Sequence, residues 1–381
     1  MALADFFSKS RQDLRVVIDI GPGFIRAVIF ELIPQKKNPS ILKKMVLRLA
    51  PSITAPRAIA KFREFLFLAI KELGRVPEKI VLSVAPPFAE YALENVAVEP
   101  SKTPLINSRR DLDEYFQKFF AGKDVLRRTL FAYPLEFFIN KYPIDPSVLI
   151  HPENITINEL GFSALLTYLP QEAGEFMEEA KESLGSLSLG FIPLVVAEKE
   201  AIQKNLGLKD VFLVDLGRDA TVLSLIKEGG LARVSLFPVG LNHFLEDVAK
   251  KSSLTPEEAG DFARQYAKGL LGDSQKIKLE NSFMQIADIW KKAFLQEVDS
   301  FYHVGNIPPN IALFGEGAYV PEISVILRDP NWIRNVSYAA TPQVKILSGN
   351  SFFEGDSLGG ALQGPEDTGL ASLIIYSMDQ K

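Results

Sequence analysis

Val16-Val17-Ile18-Asp19-Ile20-Gly21 is an apolar run closing in Asp, one aliphatic residue and Gly, and Phe212-Leu213-Val214-Asp215-Leu216-Gly217 repeats it. The two aspartates stand 196 residues apart, 215 minus 19, a spacing that suits two related half-domains rather than a short tandem repeat. Each run reads as a buried strand and is followed, after a few turn residues, by a second strand, giving hairpins over 16–32 and 211–227. A carboxylate beside a glycine turn is a recurrent holder of a metal-bound phosphate chain. Turn N–H groups face the phosphate oxygens, Gly lets the main chain approach, and Asp holds a hydrated cation.

At 381 residues the chain is long enough for a bilobed body, and an apolar fraction of 47% supplies full cores rather than disorder. A net charge of −5 with scattered Lys and Arg gives no nucleic-acid footprint. The absence of cysteine excludes disulfides, thiolate metal sites and a Cys nucleophile, and fits a reducing compartment, with the cytosol as the default. No apolar run approaches the ~18 residues that span a bilayer. The opening Ala2 to Arg11 lacks the order of a signal peptide, and its Phe6-Phe7 pair reads as a lightly packed terminus.

Between the repeats the texture is α/β. A strand over 41–50, a helix from Ala55 to Leu73 stopped by Gly74, and a strand from Lys79 to Val84 ending at Pro86-Pro87 are expected. From 86 to 169 the chain reads as a small inserted α+β unit, with a helix over 108–120 and strands over 129–139 and 160–168. A helix over 171–184 and a strand over 190–196 bring back the first pattern. In the second half, a strand over 232–237 precedes Gly240 and a helix over 241–251. Thr255-Pro256-Glu257-Glu258 is a helix start with a capping box. Phe283, Trp290, Phe294, Val298 and Phe301 form a core stripe. A strand over 310–314, the turn Gly315-Glu316-Gly317 and two helices close the chain. His151, His243 and His303 have no metal-ligand spacing.

Three glycine turns after buried strands, with an insertion between the first two, resemble the layout of the actin/Hsp70/sugar-kinase ATPase superfamily. Within it the chain is similar to the FtsA- and PilM-like proteins of cell division and type IV pilus assembly. Asp19 to Arg26 resembles the first phosphate loop, Asp215 to Val222 the second, and Ile311 to Pro321 the adenosine loop. The resemblance implies a ribonuclease H-like duplicated fold with an inserted SHS2-type domain. It divides the chain into a first lobe (1–85 and 170–207), the insertion (86–169), a second-lobe core (208–240 and 310–381) and a helical subdomain (241–309). It further implies ATP or ADP with Mg²⁺, held by Asp19, Gly21, Gly23, Arg26, Asp215, Gly217, Arg218, Thr221, Gly240, Gly315, Glu316 and Gly317. Asp19 and Asp215 would take the metal through water.

The departures matter as much. The family's second loop usually reads Asp-x-Gly-Gly-Gly-Thr-Thr-Asp, whereas Arg218, Asp219, Ala220 and Val222 stand here, so nucleotide binding is expected to be weak or lost. Ala259-Gly260-Asp261-Phe262-Ala263 lacks both polar residues of the family's ribose helix. The leading expectation is an FtsA-like scaffold at the cytoplasmic membrane face, binding itself in a filament or dimer and binding membrane-associated division or pilus proteins, with at most weak ATPase activity. Alternatives are a PilM-like pilus protein, a nucleotide-free pseudo-actin and, behind these, a superfamily kinase. The chain ends after the helix that precedes the family's membrane-binding tail, so membrane contact is expected through partners.

Overall fold

The computed structural model describes residues 13–50, 53–98, 109–120, 128–140, 142–144, 159–171, 174–175, 179, 182, 188–301, 306–329, 341–353 and 360–379. Phe6, Phe7, His151, His303 and most of the helix expected over 171–184 lie outside them.

Both repeated runs become the central strand of a five-stranded sheet. In the first half β1 (Leu14–Gly21) pairs antiparallel with β2 (Phe24–Glu31) and parallel with β4 (Lys79–Val84). β3 (Ser40–Arg48) and β9 (Ser188–Phe191) complete the order β3-β2-β1-β4-β9. In the second half β10 (Val211–Leu216) sits between β11 (Thr221–Lys227) and β13 (Asn310–Phe314). β12 (Gly230–Phe237) and β14 (Gln343–Ile346) flank them in the order β12-β11-β10-β13-β14. The order and every pairing direction match between the halves, so the duplication seen in two hexapeptides extends to whole sheets.

The helices follow the same plan. α1 (Ala55–Leu73) packs Phe62, Phe65 and Leu66 onto the first sheet and ends at Gly74 in the left-handed region that glycine tolerates. Its counterparts are three helices, α4 (Leu241–Ser252), α5 (Pro256–Ala267) and α6 (Asp273–Asp299). The Thr255 cap and Glu258 form the expected box, and Phe283, Trp290, Phe294 and Val298 of α6 are buried as expected. Trp290 and Phe294 stack with centroids 5.0 Å apart.

Where the second half carries the short helix α7 (Pro321–Arg328), the first carries a third sheet. Its strands β5 (Glu90–Val98), β6 (Arg128–Ile139), β7 (Tyr142–Ile144) and β8 (Leu160–Leu169) run antiparallel in the order β5-β8-β6-β7, with α2 (Arg109–Phe120) against them. Phe116 and Phe120 of α2 meet Phe137 and Phe162 in that unit's own core. β5 and β7 have no counterpart in the strands expected from the sequence.

One expectation is corrected. The run over 190–196 is not a strand: β9 stops at Phe191, and Pro193 leads into α3 (Leu194–Leu206). Leu194, Val195, Val196 and Ala197 are all buried, so this helix turn has no solvent face and no 3.6-residue stripe to betray it. α3 packs against α8 (Thr368–Asp379), and the two helices share one core with residues of both large sheets, among them Val17, Val81, Leu213 and Phe314. Leu165 of the third sheet is buried in the same core, with Leu93, Tyr133 and Leu135 packed on it.

Candidate functional site

The ends of β1 and β10 bring Asp19 and Asp215 to one cleft. They line it together with Gly21, Arg26, Gly217, Arg218, Gly315 and Glu316. Asp19 lies opposite Arg26 in the β1/β2 register, while Asp215 lies opposite Val222 at the equivalent place, so only the first hairpin sets a cation directly across from its aspartate. Asp215 is shielded by the turn after β13. Gly315 adopts φ +91°, and a Cβ there would stand 2.2 Å from Asp215 Oδ1 and 2.6 Å from the Leu216 carbonyl. Glycine is obligatory at that contact.

Beneath the turns lies an acidic cluster in which Asp19 and Glu198 are buried and Asp215 is half-buried. Burial drives the Asp19 carboxyl up to about 6; Arg26 opposes the shift and Glu316 adds to it. Burial likewise pushes Asp215 up to about 7, with Asp19 and Glu316 adding repulsion against the pull of Arg26. Glu198, from the second turn of α3, is raised well above the carboxylate range by burial and then by Asp215 and Asp19. Tyr91 of β5 is also raised, first by burial and then by Glu198. Asp19 Oδ1 and Glu198 Oε1 have no hydrogen-bond partner among the described residues. Hard, desolvated oxygens of this kind suit a hydrated divalent cation.

Above this cluster the space is filled by the chain itself. The Arg218 side chain crosses to the β1/β2 turn, where a Cβ on Gly23 would lie 2.4 Å from Arg218 Cδ and 2.6 Å from Nε. Its guanidinium sits 4.9 Å from the Phe24 ring centroid, and Arg26 sits 5.2 Å from the same ring. Arg218 Nη1 donates to Glu316 Oε2 at 3.2 Å, and Arg26 Nη2 pairs with Glu316 Oε1 at 2.5 Å. Burial acts against the charge of Arg26, but Glu316 and Asp19 hold it protonated more firmly than usual. Arg48, 5.8 Å from the Phe24 centroid, pairs with Glu257 of α5 and adds a second link between the halves. The cavity that remains is about 60 Å³, several-fold below the ~300 Å³ at which small-molecule pockets begin.

The other expected site residues are placed differently. Thr221 is fully buried. Its hydroxyl donates to the Val239 carbonyl at 2.6 Å and accepts from Trp290 Nε1 at 2.9 Å, on the core side of β11. Gly240 is held by close approach, since a Cβ there would meet the Arg218 carbonyl at 2.6 Å. The first amides of α4 are already used: Leu241 N donates to Gly217 O and Asn242 N to Arg218 O. That helix N-terminus therefore offers those amides to the loop, not to an anion. Gly317 N donates to Leu216 O at 2.8 Å and serves the turn. Asp219 turns from the cleft and accepts from Asn242 Nδ2. Pro22, within the first turn, has no N–H to give a phosphate.

The three glycine turns converge on the cleft and the acidic cluster fits a cation, but the Gly217, Gly315 and Gly317 amides donate within the chain, and Arg218, Phe24 and Glu316 occupy the space above the cluster. Sequence reasoning missed Glu198 and Tyr91, which lie outside the glycine-turn motifs. The one available signal for Glu198 was an acid set at the end of an apolar run.

No family model and no curated protein sequence matches the chain. Among solved structures it is similar to a chain of the PilM-PilN type IV pilus biogenesis complex, with a TM-score of 0.63 and 14% identity, covering 96% of this chain and 99% of that one. Weaker likenesses are to the ethanolamine utilization protein EutJ from Carboxydothermus hydrogenoformans (TM-score 0.46, 14% identity, 91% and 88% covered) and to MreB5 of Spiroplasma citri bound to ADP (0.46, 11%, 96% and 96%). The duplicated sheets, the facing Asp-x-Gly turns and the likeness to the PilM-PilN chain make this an actin-like fold.

Proposed function

We propose that the chain is an actin-like scaffold that works by contacting other proteins in a membrane-associated assembly, with a PilM-like role in type IV pilus assembly as the leading reading. The observation that carries it is the near-complete mutual coverage with a chain of the PilM-PilN complex, which leaves little of either chain unmatched. An FtsA-like role in division is the alternative reading, and the likeness to the PilM-PilN chain does not bear on it.

Mg²⁺ with ATP or ADP is the expected ordering ligand. Asp19 and Asp215 would hold the cation and the turns at Gly21, Gly217 and Gly315 the nucleotide, which would bridge the halves and favour the closed form by its differential affinity. The proposed domain plan keeps 86–169 as the insertion that meets partners. No helix among the described residues is long and apolar enough to cross a membrane. Placement at the cytoplasmic face of the membrane would come through partners.

The test is co-expression with the membrane-associated pilus protein encoded nearest to it. Co-elution as a stable complex supports the reading. A chain that ignores that partner but binds division proteins would transfer it to the FtsA-like role.

A further inference from the structure

Arg26, Glu316, Arg218 and Phe24 form a closed chain of contacts that begins on β2, passes through both glycine turns of the second half and returns to β2. The side chains are well shielded, with Arg26 13%, Glu316 15% and Arg218 21% exposed, so water screens these pairs only partly. Arg218 is the member that crosses. It lies on the main chain of Gly23, on the side where any other residue would carry its Cβ. A phosphate group seeking the N–H groups of the first turn would need that volume. It would also meet Glu316 stripped of Arg218, a carboxylate set against an anion.

We infer that Arg218 is an internal competitor for the nucleotide phosphates: its guanidinium straps the two halves together when no ligand is bound, and a nucleotide enters only by displacing it. The inference deepens the scaffold reading by naming how that site is regulated. With the strap engaged, the closed surfaces are offered to partners without nucleotide. Phe24 is the platform on which the guanidinium rests, and Glu316 is the anchor at its far end. Arg26 stays on Glu316 when Arg218 leaves, so the acid keeps one partner.

Calorimetry of the full chain with Mg-ADP and with a non-hydrolysable Mg-ATP analogue tests this directly. Wild type should bind weakly, Arg218→Ala at least ten-fold more tightly, and Phe24→Ala in between. Without ligand, Arg218→Ala should melt earlier and scatter X-rays as a more open particle. The partly exposed Arg218→Lys, which keeps charge and loses the planar fork, should also loosen the ligand-free form. Weaker or unchanged nucleotide affinity in Arg218→Ala would make the side chain a phosphate ligand or a bystander and overturn the inference. An absence of heat in all variants would overturn it too, since then there is no ligand to compete with. Partner co-elution of the wild-type chain is scored separately, so the scaffold reading can fail while the strap stands, and the reverse.

Discussion

At the scale of single residues, the cleft is governed by desolvation. Asp19 and Asp215 are acids whose folded values, about 6 and about 7, lie above the usual 3.8. Such groups bind protons more tightly folded than unfolded, so their stabilisation is present at low pH and is lost as pH rises from near 4 through 6 to 7. The melting temperature should therefore fall between pH 5 and pH 8, and Asp215→Asn should show the shallower slope. Equal slopes would mean the pair is solvated. Mg²⁺ added at pH 8 should raise the melting temperature of wild type more than that of Asp215→Asn, because a cation favours the charged pair. Gly315→Ala forces a side chain into a left-handed residue and onto Asp215 Oδ1, and neither neighbour is a flexible tip. A loss of at least ~2 kcal/mol in denaturant titration is expected.

Elements decide which residues reach the cleft at all. Thr221 belongs to β11, and its side chain ties that strand to Val239 and to Trp290 on α6. Thr221→Val should cost about 1–3 kcal/mol, the range for stranding buried polar partners, and should leave nucleotide affinity alone. A drop in affinity with no drop in stability would return Thr221 to the ligand set. α3 shows the converse. Its first turn reads like a buried strand because β-branched and aliphatic residues follow one another without a polar face. Helix or strand is settled there by Pro193 and by the α8 partner, neither of which leaves a periodic mark. Glu198 was lost with that reading, since a strand ending at 196 leaves it in the following loop with no reason to face Asp19 and Asp215.

The molecule as a whole ties the third sheet into the centre. Leu165 lies in the core shared by α3, α8 and both large sheets, while Phe116, Phe137 and Phe162 form a separate core within the unit. Excising 86–169 would strip part of the shared core, so a substitution is the better probe. Leu165→Ala should destabilise the whole chain by about 2–5 kcal/mol in one cooperative transition; a separate early transition confined to the third sheet would show that it folds alone. Tyr142, on the edge strand β7, is 75% exposed. Tyr142→Ala should leave the melting temperature unchanged and weaken partner co-elution if the third sheet is the contact unit. A repeated head-to-tail contact between copies would give filaments visible by electron microscopy.

The sequence by itself determined the duplication, because an apolar run closing in Asp-x-Gly is a local pattern that survives independently of what packs on it. Two such runs predicted two like sheets, and the capping box, the Gly74 stop and the α6 stripe were legible for the same reason. Only the tertiary structure decided how the cleft is filled. The path of the Arg218 side chain depends on Phe24, Gly23 and Glu316, which are distant in the chain. The rise of Asp19 and Asp215 depends on how completely α3 and the turns exclude water, and the commitment of Thr221 depends on Trp290, 69 residues further on. Desolvation and side-chain direction are sums over neighbours that no local spacing encodes.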